Sequence, residues 1–450
     1  MRDTHRSVVV VGAGQAGLSM SYHLTRRGVD HVVLEARRAG GDWRERRWDS
    51  FCLVTPNWQC QLPGFAYQGT DPDGFMVLDE IIRYLDEYVK SFDFPLIENA
   101  QATALRRGAD GVFRVATTAG VFSADQVVVA TGPYQVPRTP RITERVPEDI
   151  AQLHSSGYRN PGQLPEGGVL VVGTGQSGCQ IAEDLHLAGR RVHLSVGSAP
   201  RVARFYRGRD VVAWLDDMGY YRKPITEFAD ADAVRFRANH YVTGRDGGRD
   251  IDLRAFARDG MCLHGRLTGA AAGGFLTFGD DLKHNLDAAD AVSESIKDSI
   301  DAHISAHGIT AEEEPRCTPV WEPPQAAAAD TIRLRQAGVT AIIWATGFGT
   351  DHRWIEVPVF DGRGYPTHRR GVTSCPGLYF IGLPWQHTWG SGRFSGVAAD
   401  AEYLAGRITA LGAKGEVSWI AGTQASTFPA NDAHAYPVTD DDWIAPRTVA

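Results

Sequence analysis

Two segments of this chain repeat the same order of apolar and small residues. Residues 7–17 and 168–178 each begin with a run of β-branched and other apolar positions that ends in a glycine-rich turn. Apolar residues then recur at helical spacing. A short apolar run before a turn predicts a buried strand, and the pattern after the turn predicts an amphipathic helix. The chain therefore contains two strand–turn–helix units.

The glycines of the two turns predict dinucleotide binding. In the spacing Gly-x-Gly-x-x-Gly the first glycine permits the turn, the second lets the backbone approach a pyrophosphate, and the third lets the helix pack on the strand. The glycines at these positions are Gly12, Gly14 and Gly17 in the first unit and Gly173, Gly175 and Gly178 in the second. One copy of this motif also occurs for packing reasons alone, but two copies in matching contexts predict two bound dinucleotides.

The residue at the end of the second strand of each unit predicts which nucleotide binds. Glu35 stands eighteen residues after Gly17, where a carboxylate accepts hydrogen bonds from an adenosine ribose, and the alternative is a solvated glutamate at a strand end. Ser195 holds the equivalent position in the second unit, and Arg201, Arg204 and Arg207 follow it. Serine and arginine receive a 2′-phosphate that a carboxylate would repel. These residues favour NADPH in the second unit, and surface ion pairs are the alternative role for the arginines.

Two more apolar runs end in Ala-Thr-Gly, which predicts that the chain passes close to a nucleotide or a domain hinge. The small residues are Thr131 and Gly132 after the first run and Thr346 and Gly347 after the second. Segments rich in proline and glycine at 160–168 and 315–324 mark the entry to the second unit and the return from it.

Together these signals predict an α/β fold with two Rossmann-like dinucleotide-binding domains, the second inserted into the first. We expect the first domain at residues 1–165 and 320–410 and the inserted domain at residues 166–319. Residues 411–450 contain few apolar residues and an acidic run. That composition predicts a tail that wraps loosely over the surface or is partly disordered.

Two aromatic, glycine-rich segments are predicted to cover a flat cofactor ring. Trp43 and Trp58 lie in the first segment, directly after the first unit, and the alternative is that they fill a core. Gly392 lies in the second segment, just before the last predicted helix. The N-terminus of that helix would face the electron-rich pyrimidine edge of a reduced flavin.

The second aromatic segment also carries candidate substrate contacts. They are Trp385, Gln386, His387 and Trp389, and Trp58 of the first segment is a further candidate. His387 is a candidate general acid or base because the ordinary pKa of histidine lies near neutrality, and a hydrogen-bonded structural histidine is the alternative.

The composition limits the partners of the protein. The 450 residues are 43% hydrophobic and 22% charged, which is ordinary for a soluble globular protein. A net charge of −8 does not favour a nucleic-acid partner. The polar start leaves no room for a signal peptide, and no apolar run approaches the roughly 18 residues of a membrane helix. We therefore expect a cytoplasmic enzyme that acts on a small molecule away from membranes.

The cysteines argue against dithiol chemistry. No two of the six stand in Cys-x-x-Cys spacing; they are Cys52, Cys60, Cys179, Cys262, Cys317 and Cys375. Flavoproteins that reduce disulfides commonly pass electrons through a close cysteine pair. The absence of such a pair in the sequence disfavours that activity. The chain also lacks a His-Glu-x-x-His motif and a Cys/His cluster, so no metal is predicted.

Several motifs resemble the class B flavin-dependent monooxygenases, which include the flavin-containing, Baeyer–Villiger and indole-pyruvate monooxygenases. The resemblance rests on both glycine motifs, both Ala-Thr-Gly turns and four shorter motifs. These are GGDW at 40–43, LVTP at 53–56, QLPGF at 61–65 and HSSGYRNP at 154–161. More narrowly, residues 47–65 and 200–210 resemble bacterial flavoproteins found beside nitrilase-type gene clusters.

This resemblance implies FAD in the first domain and NADPH in the second. It also implies that one oxygen atom of O2 enters a small organic substrate through a C4a-hydroperoxyflavin, with nitrogen as one candidate atom. Val54 replaces a family asparagine that contacts the flavin edge, and Asn57 and Trp58 are candidates to take over that contact. Glu148 and Ile150 replace the family Phe-x-Gly pattern, which disfavours the Baeyer–Villiger subclass.

Two other functions stay open on the sequence. One is an NADPH-dependent flavoprotein reductase or diaphorase with an acceptor other than oxygen. The other is a non-enzymatic redox sensor that binds both nucleotides. A homodimer is one candidate oligomeric state.

Overall fold

The computed structural model describes residues 4–316, 318–324, 330–413 and 443–444. Its main strands, in chain order, are β1 (Thr4–Val11), β2 (His31–Leu34), β3 (Leu96–Ile97), β4 (Ala102–Arg107), β5 (Phe113–Thr117), β6 (Gly120–Val129), β7 (Ala151–His154), β8 (Gly168–Val172), β9 (Val192–Ser195), β10 (Cys262–His264), β11 (Leu267–Ala271), β12 (Phe275–Phe278), β13 (Thr331–Arg333), β14 (Val339–Trp344), β15 (His368–Arg369), β16 (Val372–Thr373) and β17 (Leu378–Phe380). Its helices are α1 (Gln15–Arg26), α2 (Gly41–Glu45), α3 (Leu78–Ser91), α4 (Gln176–Leu187), α5 (Val211–Asp217), α6 (Ala231–Phe236), α7 (Leu253–Arg258), α8 (Leu282–His307) and α9 (Val397–Gly412).

The first domain is built on a sheet with the order β15-β16-β17-β6-β1-β2-β3, and β5 pairs with β6 and β4 in an antiparallel meander. The central strand β1 pairs in parallel with β2 and β6. Val8 and Val10 face a core shared with α1, α3 and α9, whereas Val9 faces a core shared with β4 and β5. All three valines are fully buried, as expected for a strand covered on both faces.

The second domain is built on a five-stranded parallel sheet with the order β7-β14-β8-β9-β10. Leu170 and Val172 face one core, and Val169 and Val171 face the other. A separate antiparallel sheet of β11, β12 and β13 shares the first of these cores through Leu276. The predicted pair of α/β dinucleotide-binding domains is therefore present, with one inserted in the other.

The domain crossings lie outside the predicted boundaries of 166 and 319. Strands β7 and β14 both pair within the second sheet, so the second Ala-Thr-Gly run ends a strand of the second domain. The two crossing segments pair with each other, since Val136–Pro137 is antiparallel to Phe348–Gly349. The described part of the proline-rich segment at 315–324 therefore lies within the second domain and is not the return to the first.

The chain ends of the structure add little to the site. Most of the predicted tail at 411–450 lies outside the described residues, apart from the end of α9 and the backbone pairing of Trp443–Ile444 with Thr139–Pro140. Among the described helices, none combines the length and apolar character needed to cross a membrane.

Candidate active site

The first glycine turn joins β1 to α1 and gives each glycine a separate steric role. Gly12 has a φ of 108°, and a Cβ there would lie 2.6 Å from the carbonyl oxygen of Ala130. A Cβ at Gly17 would lie 1.8 Å from the Gly12 oxygen, so only glycine lets α1 sit this close to the turn. At Gly14 no described atom beyond the adjoining backbone and chain neighbours lies within 4 Å of the Cβ position. The turn therefore leaves open space at the position that a pyrophosphate would approach.

The second glycine turn repeats this geometry between β8 and α4. Gly173 has a φ of 104°, and its Cβ would lie 2.7 Å from the Ala345 oxygen. A Cβ at Gly178 would lie 1.9 Å from the Gly173 oxygen, whereas Gly175 again faces open space among the described atoms. Each helix thus begins directly after a glycine that faces open space, and the N-terminus of a helix is a favourable end for a phosphate. The residues present fit two dinucleotides.

Glu35 ties the end of β2 to the first turn. One carboxylate oxygen accepts from the Ala13 N–H at 2.7 Å, and the other accepts from the Arg37 N–H at 3.0 Å. The side chain is almost fully buried. This position beside the turn is compatible with the ribose contact, which stays a prediction.

Trp43 and Gly392 meet at the start of α1, although 349 residues separate them in the chain. The Trp43 indole N–H donates to the side-chain oxygen of Gln15 at 3.2 Å, and the Gln15 amide donates to the Gly392 carbonyl at 3.2 Å. The indole ring also stacks on Phe394, with the ring centres 5.5 Å apart. The structure therefore brings both predicted aromatic segments to the first glycine turn.

Thr131, Gly132, Thr346 and Gly347 lie where the chain passes between the domains. The Gln135 amide donates to Thr131 Oγ1 at 2.9 Å and to the Gly132 carbonyl at 2.7 Å. Thr346 Oγ1 donates to a backbone carbonyl on the opposite crossing segment at 2.6 Å. These residues occupy the hinge that was predicted as one alternative, and their direct contact with nucleotide stays a prediction.

His154 bridges the same hinge. Its Nδ1 accepts from the Ser156 N–H at 3.2 Å, and its Nε2 lies 2.9 Å from the Gly347 carbonyl oxygen. This pair of contacts requires the neutral ring with the proton on Nε2. Burial lowers the pKa of His154 to about 4, with the Gly347 carbonyl opposing the shift and Arg46 adding to it.

The low pKa of His154 predicts acid weakening of the hinge. The unfolded histidine takes up a proton near pH 6.5 and the folded one near pH 4, so the unfolded state binds the proton first as the pH falls. We expect the stability contributed by His154 to be complete above about pH 6.5 and lost by about pH 4. Urea unfolding of the wild type and His154→Gln should show a stability difference that shrinks across this window. A difference independent of pH would contradict this account.

Asn57 and Trp58 occupy different environments. Asn57 is buried, its amide donates to the Asp71 carbonyl at 2.9 Å, and its side-chain oxygen accepts from the Met76 N–H at 2.7 Å. It therefore holds the loop that precedes α3. Trp58 lines a surface groove of about 530 Å³ together with Asp73 and Phe205. Their predicted contact with the flavin stays untested by this geometry.

The residues predicted to bind a 2′-phosphate have partners within the protein. Ser195 Oγ donates to the Gly265 carbonyl and accepts from the Leu267 N–H, both at 3.0 Å. Arg201 pairs with Asp290 at 2.5 Å, and Arg204 pairs with Asp210 at 2.6 Å. All three side chains are buried. In this structure both arginines form ion pairs, which was the alternative to binding a 2′-phosphate. These pairs are internal and not on the surface.

His387 lies in the loop between β17 and α9 and is partly buried. Its backbone N–H donates to Ser391 Oγ at 2.9 Å, and its backbone carbonyl accepts from the Ile225 N–H at 2.7 Å. Burial lowers the pKa of the imidazole, Arg370 adds to the shift, and Asp400 opposes it. A neutral ring at physiological pH suits a proton acceptor, and the catalytic role stays a prediction.

Sequence patterns missed the contribution of residues 211–243 to this region. Tyr220, Tyr221 and Phe228 from that segment pack against Trp385 and Trp389. Arg393 lies among them, with its guanidinium carbon 3.8 Å from the centre of the Trp389 ring. The only sequence signal was the concentration of aromatic residues, because the contacts join parts of the chain about 160 residues apart.

Comparison with known proteins places this geometry in a family. Residues 9–244 match the family described as pyridine nucleotide-disulphide oxidoreductase. The chain belongs to this family. This oxidoreductase is 35% identical to an uncharacterized CzcO-like oxidoreductase of Geobacillus kaustophilus, over 88% of the chain and 96% of the relative. It is also 30% identical to the probable indole-3-pyruvate monooxygenase YUCCA4 of Arabidopsis thaliana, over 43% of the chain and 47% of that protein.

Solved structures share the fold of this oxidoreductase. The flavin-containing monooxygenase of Stenotrophomonas maltophilia superposes with a TM-score of 0.62 at 20% identity, covering 90% of this chain and 99% of that one. OTEMO, in a complex with FAD and NADP, superposes with a TM-score of 0.52 at 17% identity, covering 92% and 87%. The predicted two-domain α/β fold and the resemblance to class B flavin-dependent monooxygenases are confirmed. The predicted cofactors, FAD and NADPH, agree with this family.

Proposed function

We propose that this oxidoreductase is an NADPH- and O2-dependent flavin monooxygenase that inserts one oxygen atom into a small organic substrate. The observation that carries the proposal is the pair of matching glycine turns, each with open space at its second glycine. Paired crossing segments join the two domains that hold these turns. This arrangement supports binding of two dinucleotides in one chain, and the likeness to indole-3-pyruvate monooxygenases supports oxygenation as the reaction.

The residues around the first turn would hold the flavin. When bound, FAD accepts a hydride from NADPH and, once reduced, activates O2. The N–H groups at the start of α1 would bind its pyrophosphate, because Gly14 leaves them accessible. Trp43 and Phe394 form an aromatic wall beside the same turn, and such a wall excludes water from a flat ring.

Asp184 on α4 would keep the two nucleotide sites in a fixed orientation. Its carboxylate accepts from Ser50 Oγ and from the Tyr158 hydroxyl, each at 2.6 Å, and from Arg245 at 2.9 Å. Ser50 belongs to the first domain and α4 to the second. A buried carboxylate with three donors holds these segments together and positions the second turn against the first.

The cysteines do not favour disulfide reduction. Five described cysteines are free, and none of them pairs with another; they are Cys52, Cys60, Cys179, Cys262 and Cys375. Burial raises the pKa of Cys60 to about 12, and it also raises the pKa of Cys179. A thiol with a raised pKa is a poor nucleophile at neutral pH.

Rapid mixing of the NADPH-reduced protein with oxygenated buffer tests the proposal. We expect an absorbance transient that differs from both oxidised and reduced flavin, followed by incorporation of one atom of ¹⁸O from ¹⁸O2 into a substrate. A set of small carboxylates, ketones and amines provides the substrate screen. Gly175→Ala is the matched control, because loss of the NADPH site should slow the reduction without removing the flavin.

Two other outcomes would replace the proposal. Direct return to oxidised flavin with stoichiometric hydrogen peroxide, together with fast anaerobic reduction of a quinone, would indicate a reductase or diaphorase. Failure of NADPH to reduce the bound flavin with every acceptor would indicate a redox sensor.

A further inference from the structure

The excursion, residues 211–243, joins the second domain to the loop that precedes α9. It includes α5 and α6, and its Ile225 N–H donates to the His387 carbonyl at 2.7 Å. On its outer side Asp232 pairs with Arg363 of the first domain at 3.1 Å. The excursion therefore packs directly on the loop that carries the predicted substrate contacts.

The aromatic cluster, defined as Tyr220, Tyr221, Phe228, Trp385 and Trp389, lies between the excursion and this loop. The rings of Tyr221 and Trp389 are 4.6 Å apart, and those of Phe228 and Trp385 are 5.3 Å apart. Burial raises the pKa of both tyrosines, so both hydroxyls are neutral at physiological pH. The cluster offers an apolar, uncharged surface for a flat or hydrophobic group.

Arg393 brings a positive charge to this cluster without a matching carboxylate. Its guanidinium donates to the Trp389 carbonyl and, at 2.8 Å, to the side-chain oxygen of Asn239. Within the described part of the chain, no carboxylate oxygen lies within 4.0 Å of it. Both acceptors are neutral, and a guanidinium has five N–H donors, so part of its donor capacity is unused. Burial lowers the pKa of Arg393, which reflects the cost of this charge.

Three arginines that are more fully buried than the partly buried Arg393 show the contrast. Arg201 pairs with Asp290 at 2.5 Å, and Arg204 pairs with Asp210 at 2.6 Å. Arg254 pairs with two aspartates at 2.6 and 2.9 Å. A partly buried cation without an anion carries a desolvation cost, and charges of this kind concentrate at binding sites. Arg393 therefore has the properties of a group that meets its anion in a ligand.

We propose that Arg393 binds the carboxylate of a small organic anion whose apolar part lies on the aromatic cluster. This anion is the substrate class of the proposed monooxygenase, so the inference rests on that function. The incoming carboxylate replaces the two neutral acceptors and forms the forked pair that a guanidinium prefers. The pyrophosphates belong at the turns of Gly14 and Gly175, whereas Arg393 reaches Asn239, an exposed residue at the rim of the excursion.

Binding of a carboxylate and its neutral analogue tests the proposal. Phenylacetate and phenylacetamide are titrated into oxidised, FAD-loaded protein without NADPH, and binding is followed by flavin absorbance and by calorimetry. We expect phenylacetate to bind about tenfold or more tightly than the amide, since one ligand carries the charge-assisted pair and the other does not. Arg393→Gln should remove this preference, and Arg393→Lys should retain part of it. Arg369→Gln, which removes an exposed charge from β15, should leave it unchanged.

A second variant tests the same pair without removing the arginine. Asn239→Asp places a carboxylate at an exposed position that already contacts Arg393. It should occupy the guanidinium and weaken phenylacetate binding about two- to fivefold, while phenylacetamide binding is unchanged. Equal binding of the two probes by the wild type, or binding of neither, overturns the proposal.

The design separates this inference from the proposed reaction. If Arg393→Gln loses FAD, or if NADPH reduces it more slowly without added ligand, Arg393 serves a cofactor and the proposal is overturned. The titrations use neither NADPH nor oxygen. Carboxylate selectivity in a protein that fails the oxygenation test would therefore retain the anion site and reject the monooxygenase function.

Discussion

Replacing Gly14 with alanine should lower the FAD content of the purified protein while the protein stays folded. Gly14 has a φ of −76° and a ψ of −176°, which alanine adopts without strain. No described atom beyond the adjoining backbone and chain neighbours lies within 4 Å of its Cβ position. The added methyl group would instead occupy space that the pyrophosphate needs. A steric conflict of this kind costs about 1–3 kcal/mol, which weakens FAD binding roughly 5- to 150-fold. Flavin absorbance per protein after purification measures this loss.

Gly17→Ala is the matched control because we expect it to lower the stability of the protein, which Gly14→Ala should leave unchanged. Its Cβ would lie 1.8 Å from the Gly12 backbone oxygen, so α1 would have to move away from β1. We expect a lower melting temperature of the FAD-free protein for Gly17→Ala and little change for Gly14→Ala. Retention of FAD by Gly14→Ala at wild-type affinity would reject the assignment of the first turn.

The same comparison extends to the second turn. Gly175→Ala should keep FAD and raise the Michaelis constant for NADPH, because the open space at Gly175 lies in the second domain. Weaker FAD binding in Gly14→Ala and a raised Michaelis constant for NADPH in Gly175→Ala would assign FAD to the first turn and NADPH to the second.

Local sequence patterns predicted the parts of the fold that depend on neighbouring residues. The glycine turns, the strands before them and helix α8 follow from the periodicity of apolar residues and from positions that only glycine can occupy. Residues 285–304 have mixed charge at helical spacing, which predicts a helix. In the structure α8 spans Leu282–His307 and ends where Gly308 adopts a φ of 61°. The domain boundaries were less accessible, because the pairing of β7 and β14 joins strands about 190 residues apart.

The candidate site was predicted only in part, for a related reason. Gly392 and Trp43 were each placed near a flavin from local composition, and the structure brings them to the same turn through Gln15. The ion pair of Arg204 depends on the hairpin that brings Asp210 back beside it. Arg393 has no carboxylate partner among the described residues, and that too depends on how distant segments pack. No local pattern distinguishes a paired guanidinium from an unpaired one.

The aspartates beside Arg201 and Arg204 change what these arginines are expected to do. An arginine near Ser195 in sequence suggests recognition of a 2′-phosphate. In the fold, Asp290 and Asp210 already neutralise the two charges at 2.5 and 2.6 Å. Replacing Arg201 or Arg204 should therefore lower the stability of the protein more than it changes the preference for NADPH over NADH.

Arg204→Ala should destabilise the protein by about 3–5 kcal/mol, because it leaves a buried carboxylate without its cation. Arg204 is 1% exposed, and it also donates to the Val54 carbonyl at 2.7 Å and stacks on Phe75. Burial already raises the pKa of Asp210, with Arg204 as the main opposing charge. Urea unfolding at pH 7 measures the loss, which should shrink as the pH falls and Asp210 takes up a proton more readily in the folded variant than in the unfolded chain.

Combining Arg204→Ala with Asp210→Asn should restore part of the lost stability, because the second change removes the stranded charge and keeps an oxygen to accept from the Val212 N–H. The Michaelis constants for NADPH and NADH should change by similar factors in Arg204→Ala. A selective rise for NADPH with unchanged unfolding would instead assign Arg204 to the 2′-phosphate. The pairing of Arg204 with Asp210 would then open when NADPH binds, and the ion pair would be a state of the nucleotide-free protein.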